Sequence, residues 1–338
     1  MDFRNKKVLV VKLCCIGDII QLTPALRALK AAGNEVHLVC VKWVKEIAQM
    51  VPFIDKIHVV GMNSPFGIAS AVLKLRAEKY DLVINYHRDI KSYVFVSFLG
   101  GKHKAGFDWG MGKWFLDSSF EFDPKLHETQ RYLSVTRGLN IADSGPNTEL
   151  KAPERTGLSH KLVENKIRIG IFPAGGNNPG TVMAAKRWPA GSFNALIKKF
   201  EKEGIFVYVF GAGYDAPVIN EAIKGTSAEV IISGLVEMAF YVSRLDLFIA
   251  CDTGPLHMAA ALGVKTIGLY GPSSPEVFGA KGTNSVNIWE KIPCAPCYEP
   301  ATVLKRGFLK CGDNICMKKI TVEQVFDVAG KMLKYQGD

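Results

Sequence analysis

Residues 251–275 read CDTGPLHMAAALGVKTIGLYGPSSP. An apolar run, LDLFIA, leads into Asp252 and Thr253, a glycine–proline pair opens an Ala-rich stretch, and a second β-branched run, KTIGLY, ends in another glycine–proline turn. Strand, turn, helix and strand at this spacing make a βα unit of a parallel sheet. The start of such a helix gathers four unpaired N–H groups and roughly half a positive charge. It is a natural cradle for a diphosphate. The same residues also read as a plain cap, Asp252 or Thr253 accepting from the first-turn amides for about 1 kcal/mol. His257, just inside the helix, reads equally as a buried structural histidine.

The pattern repeats outward through the chain. In the second half IRIGIF, IFVYVF and EVIIS alternate with helical stretches at 189–203, 215–224 and 235–243, and a last amphipathic helix follows Thr321. In the first half KVLVVKL (7–13), EVHLVCV (35–41), KIHVV (56–60) and DLVINY (81–86) alternate with helices, the first of them expected to begin after Thr23-Pro24. KAPERTGLSHKLVENK (151–166) is polar and strand-free and reads as a linker. The fold class is therefore α/β, with two doubly wound parallel sheets. The expected domains span 1–155 and 166–320, followed by a helix at 321–338. Ligands of such sheets bind at the carboxyl ends of the strands, so the site is expected in the strand-end loops of both halves.

Composition agrees with that plan. At roughly 150 residues per domain, 338 residues make two. No apolar run reaches the roughly 18 residues of a bilayer span. VLVVKLCCIGDII is interrupted by Lys12 and Asp18 and reads as strand and turn rather than signal peptide. Eight cysteines without an export signal point to a reducing, cytoplasmic location. The net charge of +10 is dispersed, with no arginine-rich block or aromatic-interleaved RNA motif. Nucleic acid is accordingly not expected as a partner, and a phosphate-bearing acceptor at an anionic membrane surface is.

Three more loops offer chemistry. PAGGNNPGTVMAAKRWP brings Gly175 and Gly176, where backbone can approach a ligand closely, and Lys186, a mobile positive charge. LCCIGD puts Gly17 and Asp18 at the end of the first strand, where the carboxylate reads as a helix cap or as a general base. FGAGYDA matches G-x-G-x-x-A at Gly211, Gly213 and Ala216, but the acid of a dinucleotide site is missing, since EVIIS ends in Ser233-Gly234. It reads as a turn lining a nucleotide site.

Together these segments resemble glycosyltransferase family 9, the ADP-heptose:lipopolysaccharide heptosyltransferases. The likeness rests on KVLVVKLCCIGDIIQLTPALRALK, DLVINYHRDIKSYVFVSFLGGKHKAGFD, HETQRYL, AAKRWPAGSFNALI and the opening stretch, in that family's order. The resemblance implies a GT-B architecture of two Rossmann-like domains, with a nucleotide-diphosphate sugar, ADP-heptose, bound mainly by the second. It implies Asp18 as the base, Lys186 at the donor phosphates and Asp252 at the donor sugar. Thr253, Gly254, Leu256 and His257 would line the diphosphate; Pro255 has no N–H to give. His87, Arg88 and Lys91 would face a lipopolysaccharide core acceptor. The implied reaction is an inverting displacement needing no cofactor, by a protein peripheral to the cytoplasmic face of the inner membrane. Rival readings are a nucleotide-sugar epimerase, a non-catalytic nucleotide-sugar binding module and an NAD-linked oxidoreductase.

Cys294-x2-Cys297 and Cys311-x4-Cys316 are separated by thirteen residues. Two close pairs across a short loop suit a structural zinc or iron, and they also suit reduced thiols packed in a loop. Cys14, Cys15, Cys40 and Cys251 read as small buried hydrophobes.

Overall fold

A computed structural model describes residues 1–61, 64–154, 160–178, 181–298 and 311–334. The chain divides into two compact units, Met1–Lys151 and Ala152–Asp338. Residues 155–159 of the expected linker lie outside the described residues; its remainder has neither helix nor strand.

The first unit holds β1 (Lys7–Val11), α1 (Ile16–Ala31), β2 (Glu35–Cys40), α2 (Lys45–Gln49), β3 (Lys56–Val59), α3 (Pro65–Ala77), β4 (Leu82–Asn85), α4 (Ile90–Phe98), β5 (His103–Asp108), β6 (Ser118–Glu121) and α5 (Glu128–Gly138), with a 3-10 turn at Gly110–Phe115. Its six strands are all parallel, in the order β3-β2-β1-β4-β5-β6. The second unit holds β7 (Arg168–Phe172), β8 (Asn177–Asn178), β9 (Thr181–Val182), α6 (Ala190–Lys202), β10 (Phe206–Gly211), α7 (Ala216–Ala222), β11 (Glu229–Ile232), α8 (Leu235–Val242), β12 (Leu247–Cys251), α9 (Gly254–Ala261), β13 (Thr266–Tyr270), α10 (Pro275–Phe278), β14 (Ser285–Trp289), α11 (Ile315–Lys318) and α12 (Val322–Leu333). Its main sheet is again six parallel strands, β11-β10-β7-β12-β13-β14.

Helices cover both faces of each sheet, so central strands read as unbroken apolar runs: Val8, Leu9, Val10 and Val11 of β1 are fully buried, as are all of β12. α12 closes the second core through Val325 and Ala329, and the Trp188 indole N–H donates to the Ile320 carbonyl at 2.9 Å.

Sequence order reverses at β1, flanked by β2 and β4, and at β7, flanked by β10 and β12. At such a reversal the connecting loops leave on opposite faces and open a crevice at the strands' carboxyl ends. Each unit therefore has one privileged spot: the loops after β1 and β4 in the first, and those after β7 and β12 in the second.

Two local expectations are corrected. The first helix begins at Ile16, not after Pro24, which lies inside it. A proline there removes the hydrogen bond to the carbonyl four residues back. The Thr23 hydroxyl supplies it instead, donating to the Ile20 carbonyl at 2.7 Å. The stretch after Pro173 is not all loop: Asn177–Asn178 pairs with Thr181–Val182 as a small antiparallel hairpin.

Candidate active site

The crevice of the first unit is built around Asp18. The acid is the third residue of α1, and no side chain caps that helix. Its carboxylate turns instead to Lys12, whose Nζ lies 3.0 Å from Oδ2. The Lys12 side chain is only 5% exposed whereas that of Asp18 is 36% exposed, so the acid is the member that a substrate can reach. The Lys12 ammonium also sits 5.0 Å from the Tyr132 ring centre and 3.5 Å from the Tyr86 carbonyl oxygen. Burial pushes the Asp18 carboxyl up, but Lys12, with His87 and Arg88, outweighs it and holds the group below its ordinary range. In the sequence Lys12 reads only as a charge that interrupts an apolar run, with nothing to signal its pairing with Asp18. Replacing Lys12 by Met removes the largest of the charges that oppose burial and leaves only His87 and Arg88, so the acidic limb of kcat/KM is expected to move to higher pH. A pH–rate profile of both proteins checks this.

His87 and Arg88 follow β4 and reach the same crevice. His87 Nε2 lies 3.0 Å from Asp89 Oδ2, while its buried Nδ1 has no partner among the described residues. Arg88 stacks on Phe122 at 4.1 Å and on Trp109 at 5.3 Å. Lys91 is exposed on α4. Gly17 precedes Asp18 in the first turn of α1. The expectation that Cys14 and Cys15 are buried hydrophobes is corrected. They are half-buried in the loop after β1, with both sulfurs and an Asp18 carboxylate oxygen within 4.8 Å of one another. Cys40 and Cys251 are buried in strands.

In the second unit Gly175 and Thr253, from the loops after β7 and β12, meet closely. A Cβ on Gly175, at φ +131°, would lie 2.2 Å from Thr253 Cγ2. Gly176 stands at φ +68°, and its carbonyl accepts from the Met183 amide at 2.7 Å, which turns the chain back toward Lys186. Lys186 is not a mobile charge. It is buried, with Nζ 2.7 Å from Asp252 Oδ2 and 3.8 Å from the Tyr298 ring centre. Ser273 donates to the same carboxylate oxygen at 2.7 Å, and His257 Nε2 lies 3.5 Å from the other. Burial opposes ionisation of Asp252, but the Lys186 ammonium and His257 overcome it and hold the carboxyl well below the ordinary range.

The capping reading of this stretch is corrected as well. Thr253 occupies the N-cap position of α9, yet its side chain makes no cap bond, and Asp252 is spent on Lys186, Ser273 and His257. The Thr253 hydroxyl is buried without a partner among the described residues. The first-turn amides of Gly254 and Leu256 have no helical acceptor, because a helix begins with unpaired N–H groups. Gly211 has a packing reason of its own: a Cβ there would lie 2.4 Å from Ile219 Cδ1 of α7. Its turn is tied by Asp215, which accepts from the Ala212 amide at 3.0 Å.

The sequence pattern of glycosyltransferase family 9 (heptosyltransferase) matches residues 68–306. The chain belongs to glycosyltransferase family 9. This family 9 chain is 24% identical to lipopolysaccharide heptosyltransferase 1 of Pseudomonas aeruginosa, over 94% of its own length and 96% of the relative's. Its fold matches the solved structure of Escherichia coli ADP-heptose lipopolysaccharide heptosyltransferase II with a TM-score of 0.77 at 19% identity, covering 97% of this chain and 98% of that one. It also matches the dodecameric iron-containing heptosyltransferase TibC in complex with ADP-D-β-D-heptose, with a TM-score of 0.62 at 15% identity, over 99% and 78% of the two chains. The family 9 protein is thus a glycosyltransferase of GT-B architecture, built from two six-stranded Rossmann-like units.

The four remaining cysteines of the family 9 chain belong to the second unit, where Cys297 donates its amide to the Pro272 carbonyl at 2.9 Å and a Cβ on Gly271 would lie 2.8 Å from Cys316 Sγ. Cys294, Cys297 and Cys311 are exposed and Cys316 is buried. Cys316 is within electrostatic reach of the other three, and Cys297 of Cys294 and Cys311, although no three of these sulfurs lie within 4.8 Å of one another.

Proposed function

We propose that this enzyme transfers a heptose from ADP-heptose to a hydroxyl of a lipopolysaccharide core acceptor, with inversion at the anomeric carbon. The observation that carries the reading is the start of α9. There a buried Thr253 hydroxyl, unpartnered among the described residues, and first-turn amides with no helical acceptor directly follow Asp252, the partner of Lys186. An ammonium has three protons to donate and Asp252 takes one, so Lys186 retains donors for a diphosphate. Relatives named for ADP-heptose and for lipopolysaccharide support the donor and the acceptor class.

In this reading Asp18, kept ionised by Lys12, accepts the proton of the acceptor hydroxyl as its oxygen bonds to the anomeric carbon. The bond from that carbon to the diphosphate oxygen breaks, and ADP leaves with the electron pair. Charge grows on the departing diphosphate, where the α9 amides, Thr253 and Lys186 are already aimed. His87 and Arg88 orient the acceptor beside Asp18. The chemistry calls for no cofactor. Incubation with ADP-heptose and a panel of truncated lipopolysaccharide cores is expected to add one heptose to an acceptor, read by mass, with the inverted linkage read by NMR. Sugar interconversion without an acceptor would point to an epimerase instead, and binding without turnover to a carrier module.

The cysteine cluster supports a second assignment, a structural zinc or iron held by Cys294, Cys297, Cys311 and Cys316. Thiolate sulfurs suit either metal, and Cys294, Cys297 and Cys311 all lie within electrostatic reach of Cys316, so modest side-chain movement would bring the four to ligand spacing. The structural neighbour TibC is an iron-containing heptosyltransferase, which adds weight to a metal here. Protein purified without added metal is expected to contain about one zinc or iron per chain by elemental analysis, and Cys294→Ser with Cys297→Ser to lose it. Metal-free protein of unchanged stability overturns the assignment. The location consistent with these partners is the cytoplasmic face of the inner membrane; no helix among the described residues is long and apolar enough to cross it.

A further inference from the structure

One face of the first unit is apolar, basic and without a partner among the described residues. α3, α4 and the 3-10 turn at 110–115 join β3 to β4, β4 to β5 and β5 to β6, steps that all move across the sheet in one direction. Right-handed crossovers place such connections on the same face. α1 steps the other way, from β1 to β2, and packs with α5. α4 lies against both α3 and the 3-10 turn, so the three form a continuous surface.

That surface is not shaped like an ordinary solvated one. Only Leu75 of the thirteen residues of α3 is buried, and Phe66 (90% exposed) and Leu73 stand two turns apart on its outer side. Ile90, Val94 and Phe98, exposed at four-residue spacing, form a stripe along α4. Met111, Trp114 (80% exposed) and Phe115 extend it across the turn. Exposed apolar side chains scattered singly need no explanation, but a contiguous patch marks an interaction site.

The charges identify what it meets. Within these three elements the only charged residues are Lys74, Arg76, Lys91 and Lys113, all exposed and all basic. The carboxylates beside them are already paired, Glu78 with Lys7 and Lys56, Asp81 with Lys102, Asp89 with His87 and Asp108 with Lys113. Large apolar and aromatic side chains among Lys and Arg, with no free acid, are the composition of a helix surface that lies in a bilayer interface. A two-fold dimer through this face would set Lys74, Arg76 and Lys91 against the same cations of the second copy, with Lys113 already paired to Asp108.

We propose that this face docks on an anionic lipid bilayer. The inference rests on the reading of a lipid-linked acceptor, and the structure adds a reason for the placement. The α4 stripe starts at Ile90, after the N-cap Asp89 and two residues beyond Arg88, which with His87 acts on the charge of Asp18. A hydroxyl carried by a membrane-anchored acceptor would then reach the candidate base while its lipid stays in the bilayer.

The test compares the full-length enzyme with a variant carrying Phe66→Ser, Leu73→Ser, Phe98→Ser and Trp114→Ser, and with a charge variant carrying Lys74→Glu and Lys113→Glu. The wild type is expected to co-sediment with vesicles containing about one-third phosphatidylglycerol, and not with pure phosphatidylcholine vesicles, with binding that falls as salt rises. Both variants should bind at least ~10-fold more weakly, with unchanged melting temperature. Trp114→Phe should abolish most of the blue shift in tryptophan emission on vesicle addition. Turnover of a water-soluble truncated acceptor without vesicles should be the same in all of these proteins, and this separates the docking surface from the reaction itself. Undiminished vesicle binding by the variants, absence of binding by the wild type, or self-association lost in the variants without any lipid binding would each overturn the proposal.

Discussion

Asp18→Asn is expected to lower kcat by a factor of about 10²–10⁴ while leaving ADP affinity within about two-fold. The amide keeps the shape of the side chain and still offers Lys12 an oxygen, so the buried ammonium is not stranded. What it loses is the ability to take a proton. The groups assigned to the donor, Lys186, Thr253 and the α9 start, belong to the second unit and are untouched. Single-turnover kinetics with ADP-heptose, alongside ADP titration calorimetry, separates the two effects. Turnover within a few-fold of wild type would remove Asp18 from the mechanism. In the proposed mechanism Asp18 does not work through a raised pKa. Lys12 holds its carboxyl low, which makes it a weak base that is always ionised at neutral pH. As the proposed base it would therefore depend on position, with the proton moving as the new bond to carbon forms.

The second large effect is expected at Lys186, and it should appear twice. Lys186→Ala removes the proposed donor to the leaving diphosphate, for which a loss of about 10²–10³ in kcat is typical. It also leaves Asp252 buried with only Ser273 and a 3.5 Å contact to His257. Removing one partner of a buried pair costs about 3–5 kcal/mol at neutral pH. The pH dependence follows from the direction of the shift. The Asp252 carboxyl is held low in the folded protein, so its contribution to stability is present above the ordinary carboxylate range and is lost as pH falls through the folded value. Without Lys186 that pKa rises, so the destabilisation should be largest near neutrality and shrink on acidification. Urea unfolding of both proteins at pH 7 and pH 5 checks this. An unaltered midpoint at pH 7 would mean the ion pair does not hold the site, and unaltered kcat that the lysine does not serve the leaving group.

Much of this enzyme was legible along the chain. The alternation of β-branched runs with helical stretches specified two parallel α/β sheets, because period and turn chemistry are local properties. The doublets Asp252-Thr253 and Gly254-Pro255 marked a strand end and a helix start, and the ordered set of segments resembling family 9 pointed to the chemistry. Local reading erred where a residue's partner is distant in sequence or its role depends on packing. Pro24 signals a helix start, yet the Thr23 hydroxyl lets the helix run through it. Asp18 read as a helix cap or a general base, and the partner that turns it from the cap, Lys12, becomes visible only in the fold. Lys186 looked mobile, but 66 residues later Asp252, and beyond it Ser273, fix it in place. Which strand lies beside which, and hence that the β1 and β4 loops meet and the β7 and β12 loops meet, is decided by sheet order, and no window of sequence contains it. Pairings of charges and apolar faces arise only when those loops and helices come together, since burial and Coulomb attraction depend on distance in space rather than on separation along the chain.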